Sequence, residues 1–132
     1  MFLSIIFFFL VLVTSFFYCS LQKLKIKSVY LIGMRELNQH IDQIRKLCTR
    51  NGVKSLFAFG SVTTDQFKPE SDIDFIVDIE NNDPLSYSDS YFRLKFELEQ
   101  LLKRQIDLLE QKAIKNPFFK EEIEKTKVLI YG

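Results

Sequence analysis

Two short stretches of this chain have the residue types and spacing to do chemistry together. The run Phe57-Ala58-Phe59 ends in Gly60-Ser61, ten residues follow, and a second apolar run opens on Asp72-Ile73-Asp74-Phe75-Ile76-Val77. Strand side chains alternate between faces, so Asp72 and Asp74 point the same way with Cα atoms roughly 7 Å apart. Like charges that close oppose each other's ionisation, and a cation relieves them. Hard oxygen ligands in this arrangement suit Mg²⁺ or Mn²⁺. Gly60-Ser61 adds a turn with no Cβ in the way, exposed backbone N–H groups and a hydroxyl, which are what a phosphate needs. These residues point to metal-dependent chemistry on a nucleoside triphosphate.

A third acid stands out. Asp107 is flanked by Ile106 and Leu108, an unusual place for a charge unless it faces a site. Taken singly, Asp72 also reads as a strand-end cap and Asp107 as a satisfied half-buried acid. His40 is the sole histidine and reads as a surface or boundary residue, not a metal ligand.

The elements that must position these groups follow from periodicity. Leu37, Ile41, Ile44 and Cys48 recur at helical spacing and predict a helix over 35–50, stopped by Asn51-Gly52. Val53–Phe59 is a first strand, and residues 62–71 have loop or short-helix chemistry. Residues 72–79 form a second strand with Asp72, Asp74 and Ile76 on one face. Residues 80–90 read as a polar loop. Tyr91, Leu94, Leu98, Leu101 and Leu102 mark a helix over 89–103, with Ser88 or Asp89 as its cap. Gln105–Leu109 is a short third strand. Asn116-Pro117 breaks the chain, and 118–128 reads as a last helix with Phe119, Ile123 and Val128 inward. The order is α, β, β, α, β, α. The expected class is α+β, a small mixed sheet of about three strands with helices packed on one face.

The totals narrow the function classes. The 132 residues make one domain, and a net charge of +1 gives no electrostatic reason to hold nucleic acid directly. Cys19 and Cys48 lie in very different surroundings, so a disulfide framework is not expected and a reduced, cytoplasmic protein fits.

Residues 1–33 carry no charge except Lys23, Lys25 and Lys27. Phe2 to Cys19 is long enough to cross a bilayer, and the lysines that follow would leave the rest of the chain on the cytoplasmic side. A secretory signal fits less well, because no cation precedes the apolar run and no small-residue cleavage pattern follows it. The expectation is that translation starts at Met34, which opens the working domain, 34–132, and that 1–33 is an apolar leader, either a misassigned start or a membrane anchor; a membrane is a partner only if that leader is real.

Gly60-Ser61, ten connecting residues, Ser71-Asp72-Ile73-Asp74 and a later strand acid in Gln105-Ile106-Asp107-Leu108-Leu109 together resemble the minimal nucleotidyltransferases of the polymerase-β-like superfamily. The resemblance covers 34–132 and implies a palm-like fold. It implies two Mg²⁺ ions held by Asp72, Asp74 and Asp107, and ATP as substrate with its phosphates clasped by Gly60 and Ser61. Members often carry an arginine shortly after Gly-Ser; here that stretch is Val62-Thr63-Thr64-Asp65, and Lys68 is the cation expected to replace it. The small prokaryotic members resemble antitoxins paired with helical HEPN-type toxins. That implies AMP transfer from ATP to a toxin tyrosine. Two alternatives stay open: a small-molecule nucleotidyltransferase subunit of the aminoglycoside type, and an antitoxin that acts by occlusion alone.

Overall fold

The computed structural model describes residues 2–132, with side chains described for 4–21 and 32–132. The chain runs as helix α1 (Phe2–Gln39), α2 (Ile41–Arg50), strand β1 (Val53–Phe59), a 3-10 turn (Gly60–Thr63) and β2 (Ile73–Ile79). It continues as α3 (Pro84–Leu102), β3 (Ile106–Glu110), a second 3-10 turn (Gln111–Ala113), α4 (Pro117–Thr126) and β4 (Val128–Tyr131). The four strands form one mixed sheet in the order β3-β2-β1-β4. β1 is antiparallel to both β2 and β4, and β2 is parallel to β3, with α3 as the crossover. The expected mixed α+β class is therefore the observed one.

The alternation along β2 sorts the molecule into two faces. Ile73, Phe75, Val77 and Ile79 are buried in one cluster with Leu37 of α1, Ile44 and Cys48 of α2, and Leu94 and Leu98 of α3. Burial pushes the Cys48 thiol up to about 12, which makes it a packing group and not a nucleophile. Asp74, Ile76 and Asp78 face the other way. The short helix α4 lies over that second face: its Phe119 meets Phe59 edge-on at 6.3 Å, and its Ile123 shares a cavity with Ile76.

The structure revises four element boundaries. The helix expected over 35–50 is two helices, broken at His40, whose backbone (φ −110°, ψ 10°) leaves the helical region. The helix expected from 89 begins at Pro84, and its cap is Asp83 rather than Ser88 or Asp89. Asp83 accepts from Ser86 N at 2.9 Å, and that bond holds its carboxyl below the usual range. The last helix starts at Pro117 behind Asn116, which accepts from Phe118 N and Phe119 N. It stops at Thr126, so Val128 lies in a fourth strand, opposite Ala58, where three strands were expected. A four-residue strand of Val-Leu-Ile-Tyr has no turn signal between it and the preceding helix, which is why periodicity merged the two.

Helix α1 is a single helix about 57 Å long. Ser4–Leu21 is long and apolar enough to cross a membrane by length and composition, and none of it is buried. The flanking Lys23, Lys25 and Lys27 have side chains outside the described set. The last turns of α1, by contrast, are built into the domain. Gly33 approaches the turn after β1 so closely that a Cβ there would sit 2.5 Å from Val62 O.

Glu36 of α1 anchors a clamp. Arg104, just ahead of β3, donates to both Glu36 oxygens, at 2.6 and 2.9 Å. Its third nitrogen reaches the carbonyls of Lys68, Pro69 and Ser71, and the guanidinium lies 4.8 Å from the centroid of the Phe67 ring. One planar cation thus ties α1, the connector 64–72 and the start of β3 together. Arg104→Met leaves Glu36 and the Pro69 and Ser71 carbonyls without this donor, while Lys68 O keeps Ser71 N, and is expected to cost about 2–4 kcal/mol. Urea denaturation of the variant against the wild type measures it, and Arg104→Lys, which keeps the charge but loses the fork, is expected to recover under half of the loss.

Candidate active site

The site forms where β1 ends and β2 and β3 begin. Phe59, the last residue of β1, is the register partner of Asp74, and Asp74 is in turn the parallel partner of Asp107. Asp72 stands two residues before Asp74, at the mouth of the same strand. The sheet therefore delivers three carboxylates to one face from sequence positions 72, 74 and 107. Asp72 and Asp107 are exposed, whereas Asp74 is half-buried between them.

The electrostatics follow from that placement. Burial raises the Asp74 carboxyl above its ordinary value first, and the charges of Asp107 and then Asp72 raise it further. The two neighbours are thus near enough for their charges to be felt at Asp74.

Gly60 is the glycine this site cannot replace. Its φ is +72°, and a Cβ built there would lie 2.4 Å from Asp74 Oδ2. The backbone of the Gly-Ser turn consequently lies directly against the carboxylate. The turn is held by its own side chains: Thr63 Oγ1 donates to Gly60 O at 2.8 Å and Thr64 Oγ1 to Ser61 O at 3.0 Å. Ser61 lies in this turn at the end of β1, half-buried. Of the expected site residues the structure brings Asp72, Asp74, Asp107, Gly60 and Ser61 together. Lys68 lies on the exposed connector, where its backbone is bound by Arg104 and Ser71.

Among the described residues no three Asp, Glu, His or Cys side chains are closed around a single point ready to hold one ion. The three carboxylates line a row at the strand ends. Their chemistry nonetheless fits a hard divalent ion: the donors are all oxygen, two are exposed, and the carboxyl of the central one is raised by burial and then by its acidic neighbours. Sequence reasoning missed Arg104 and Glu36, the residues that hold the connector. Their pairing spans 68 positions, and neither residue sits in a local pattern that announces it.

The family model described as polymerase beta, nucleotidyltransferase, matches residues 42–132, which hold all of the sheet, nearly all of α2, and α3 and α4. The chain belongs to the polymerase-beta nucleotidyltransferase family. Two relatives from Methanocaldococcus jannaschii, both carrying the provisional name protein adenylyltransferase, are each 36% identical. They align over 102 and 103 residues, in each case 74% of this chain and 99% of the relative. A solved structure described provisionally as a minimal nucleotidyltransferase superposes with a TM-score of 0.59 at 27% identity, covering 70% of this chain and 90% of that one. A chain from the complex of a tri-AMPylated Shewanella oneidensis HEPN toxin with its MNT antitoxin has the same fold. There the TM-score is 0.51 at 19% identity, covering 72% of this chain and 71% of that one. The nucleotidyltransferase is thus an enzyme whose family is settled independently of its carboxylate geometry.

The raised carboxyl of Asp74 has a consequence for stability. A folded-state value above the unfolded one contributes stability at low pH that is lost as pH rises through the raised value. At neutral pH and without divalent ions, Asp74→Asn removes an ion held among like charges and is expected to raise Tm by a few degrees. The gain is expected to vanish at acid pH, where the native carboxyl is protonated. Thermal melts in a chelating buffer at both pH values measure the difference.

Proposed function

We propose that this nucleotidyltransferase transfers AMP from ATP to a hydroxyl, namely a tyrosine of a cognate HEPN-type toxin, and so acts as its antitoxin. The observation that carries the transfer is the parallel register of Asp74 and Asp107 beside the Gly60 turn. Asp72, Asp74 and Asp107 are the ligands for a pair of Mg²⁺ ions, with Mn²⁺ as the alternative. Bound there, such ions neutralise the triphosphate and lower the pKa of the attacking hydroxyl.

The chain's own residues do the rest. The backbone N–H groups at Gly60 and Ser61, with the Ser61 hydroxyl, hold the β- and γ-phosphates, and Lys68 supplies the connector's cation. Asp107, exposed on the edge strand, takes the hydroxyl proton. The acceptor oxygen attacks the α-phosphorus in line, the bond to the bridging oxygen breaks, and pyrophosphate leaves. Positioning and charge neutralisation supply the acceleration.

The protein target is supported by the names of the 36% identical relatives. The partner is supported by the fold shared with the tri-AMPylated toxin complex and with a toxin–antitoxin crystal structure containing AMP-PNP, whose TM-score is 0.55 at 20% identity. The catalytic domain is read as residues 34–132, acting in the cytoplasm, with the apolar leader outside it. A retained leader would tether the domain to the cytoplasmic side of a membrane.

Co-expression with a helical protein encoded beside it is expected to place AMP on a tyrosine of that protein, read by mass spectrometry. Asp74→Asn is expected to reduce the transfer on the order of 10³-fold. A toxin neutralised without any mass gain, by wild type and variant alike, would show occlusion in place of catalysis.

A further inference from the structure

Helix α3 turns two faces to two different surroundings. Leu94, Leu98 and Leu102 are buried against the sheet. Leu85, Asp89, Phe92 and Phe96, spaced by four, three and four residues, form a row about 16 Å long on the opposite side of the same helix. Leu85, Phe92 and Phe96 are 78, 67 and 61% exposed. Single exposed apolar side chains are ordinary, whereas three large ones in line on one helix mark an interaction surface. The middle ring is also held in place. Phe92 meets Tyr91 edge-on at 5.2 Å, and the Tyr91 hydroxyl donates to Leu108 O of β3. A braced aromatic loses little freedom on contact, which is what an anchor residue needs.

The charges along the row say what it fits. Asp89 lies in the row itself, between Leu85 and Phe92, and among the described residues no cation stands within 4 Å of it. Arg93 and Lys95 flank the row, each about 80° round the helix from its midline. Neither has an acidic partner within 4 Å among the described residues. Glu99, one step beyond Phe96, already accepts from Ile106 N at 3.4 Å. A second copy of the chain does not match this pattern. A two-fold axis that sets Leu85 against Phe96 of the other copy sets each Asp89 against a Phe92 ring, and a parallel pair sets the two Asp89 side by side. Either buries carboxylates with no cation in the row. What matches is a helix with large apolar residues at the same spacing and one lysine or arginine among them to meet Asp89. Acids on its flanks would meet Arg93 and Lys95.

We propose that the Leu85-Phe92-Phe96 row of α3 is the docking surface for such a helix, contributed by the helical partner protein. The inference rests on the antitoxin reading for the identity of that partner and names the surface it grips. α3 packs on the core face of the sheet, opposite the face of Asp74, so the docked helix lies beyond α3, a helix diameter of about 10 Å from the sheet. The carboxylate row stays open while the partner is held. Holding the partner and transferring AMP thus use different sides of the molecule.

The test titrates the full chain, in mild detergent to cover Ser4–Leu21, against the helical protein encoded beside it by biolayer interferometry. Phe92→Ala is expected to weaken binding at least about tenfold, as loss of an aromatic anchor does. Asp89→Lys, which sets a cation against the partner's cation, is expected to weaken it by a similar factor. Both side chains are exposed, so Tm is expected to stay within about 2 °C of the wild type. AMP transfer at saturating partner is expected to stay within about twofold, since the row of α3 is on the other side of the sheet. Unchanged affinity in both variants, a Tm that falls along with affinity, or a dimer of the chain alone that Phe92→Ala dissolves would each overturn the surface. A wild type that binds the helical protein without transferring AMP would overturn the transfer reading alone. A wild type that does not bind it would overturn the antitoxin reading and the surface with it, so the failures are told apart.

Discussion

Everything at the working end of this protein depends on holding Asp74 where it does not want to be. Its carboxylate is half-buried between two others of the same sign. What holds it there is its own strand. Ile73, Phe75, Val77 and Ile79 are buried on the opposite face of β2, each contributing about 1.5–3 kcal/mol. The ladder to β1 and β3 fixes the backbone to which the carboxylate is attached. Hydrophobic burial on one face thus offsets electrostatic cost on the other, and the alternation of a strand makes both possible at once.

The positive counterpart of that cluster is kept at a distance. Arg104 lies three residues before Asp107, yet its guanidinium is fully engaged with Glu36, the connector carbonyls and Phe67. An arginine free to turn toward Asp107 would quench the charge that makes the row useful. Its engagement with α1 means that the last turns of that helix take part in shaping the connector, and through it the spacing between Gly60 and Asp72.

The site was legible in the sequence because its signals are local. A glycine at a strand end and two acids spaced by two residues need only the period of a strand to be assigned a common face. Asp107 could be nominated because a charge between two isoleucine-like neighbours is rare, and its parallel register with Asp74 follows once α3 is recognised as a crossover. Arg104 was not legible, since its partners lie far away in sequence and its value is geometric. The boundaries that slipped are those where two signals compete. Asp83-Pro84 is as good a turn as it is a helix start, and Val128 continues the apolar spacing of α4 although it pairs with Ala58. The cavity beneath α4 was likewise out of reach, because it exists only once β4 has drawn that helix across the sheet.

The crossover by α3 also makes the acidic row a property of the folded chain alone. Unfolded, Asp74 and Asp107 are separated by 32 residues of flexible polymer and scarcely interact. Any ligand that relieves their crowding therefore favours the native ensemble over the denatured one, by mass action. Protein with a ligand seated at the row is therefore expected to resist unfolding better than the free chain.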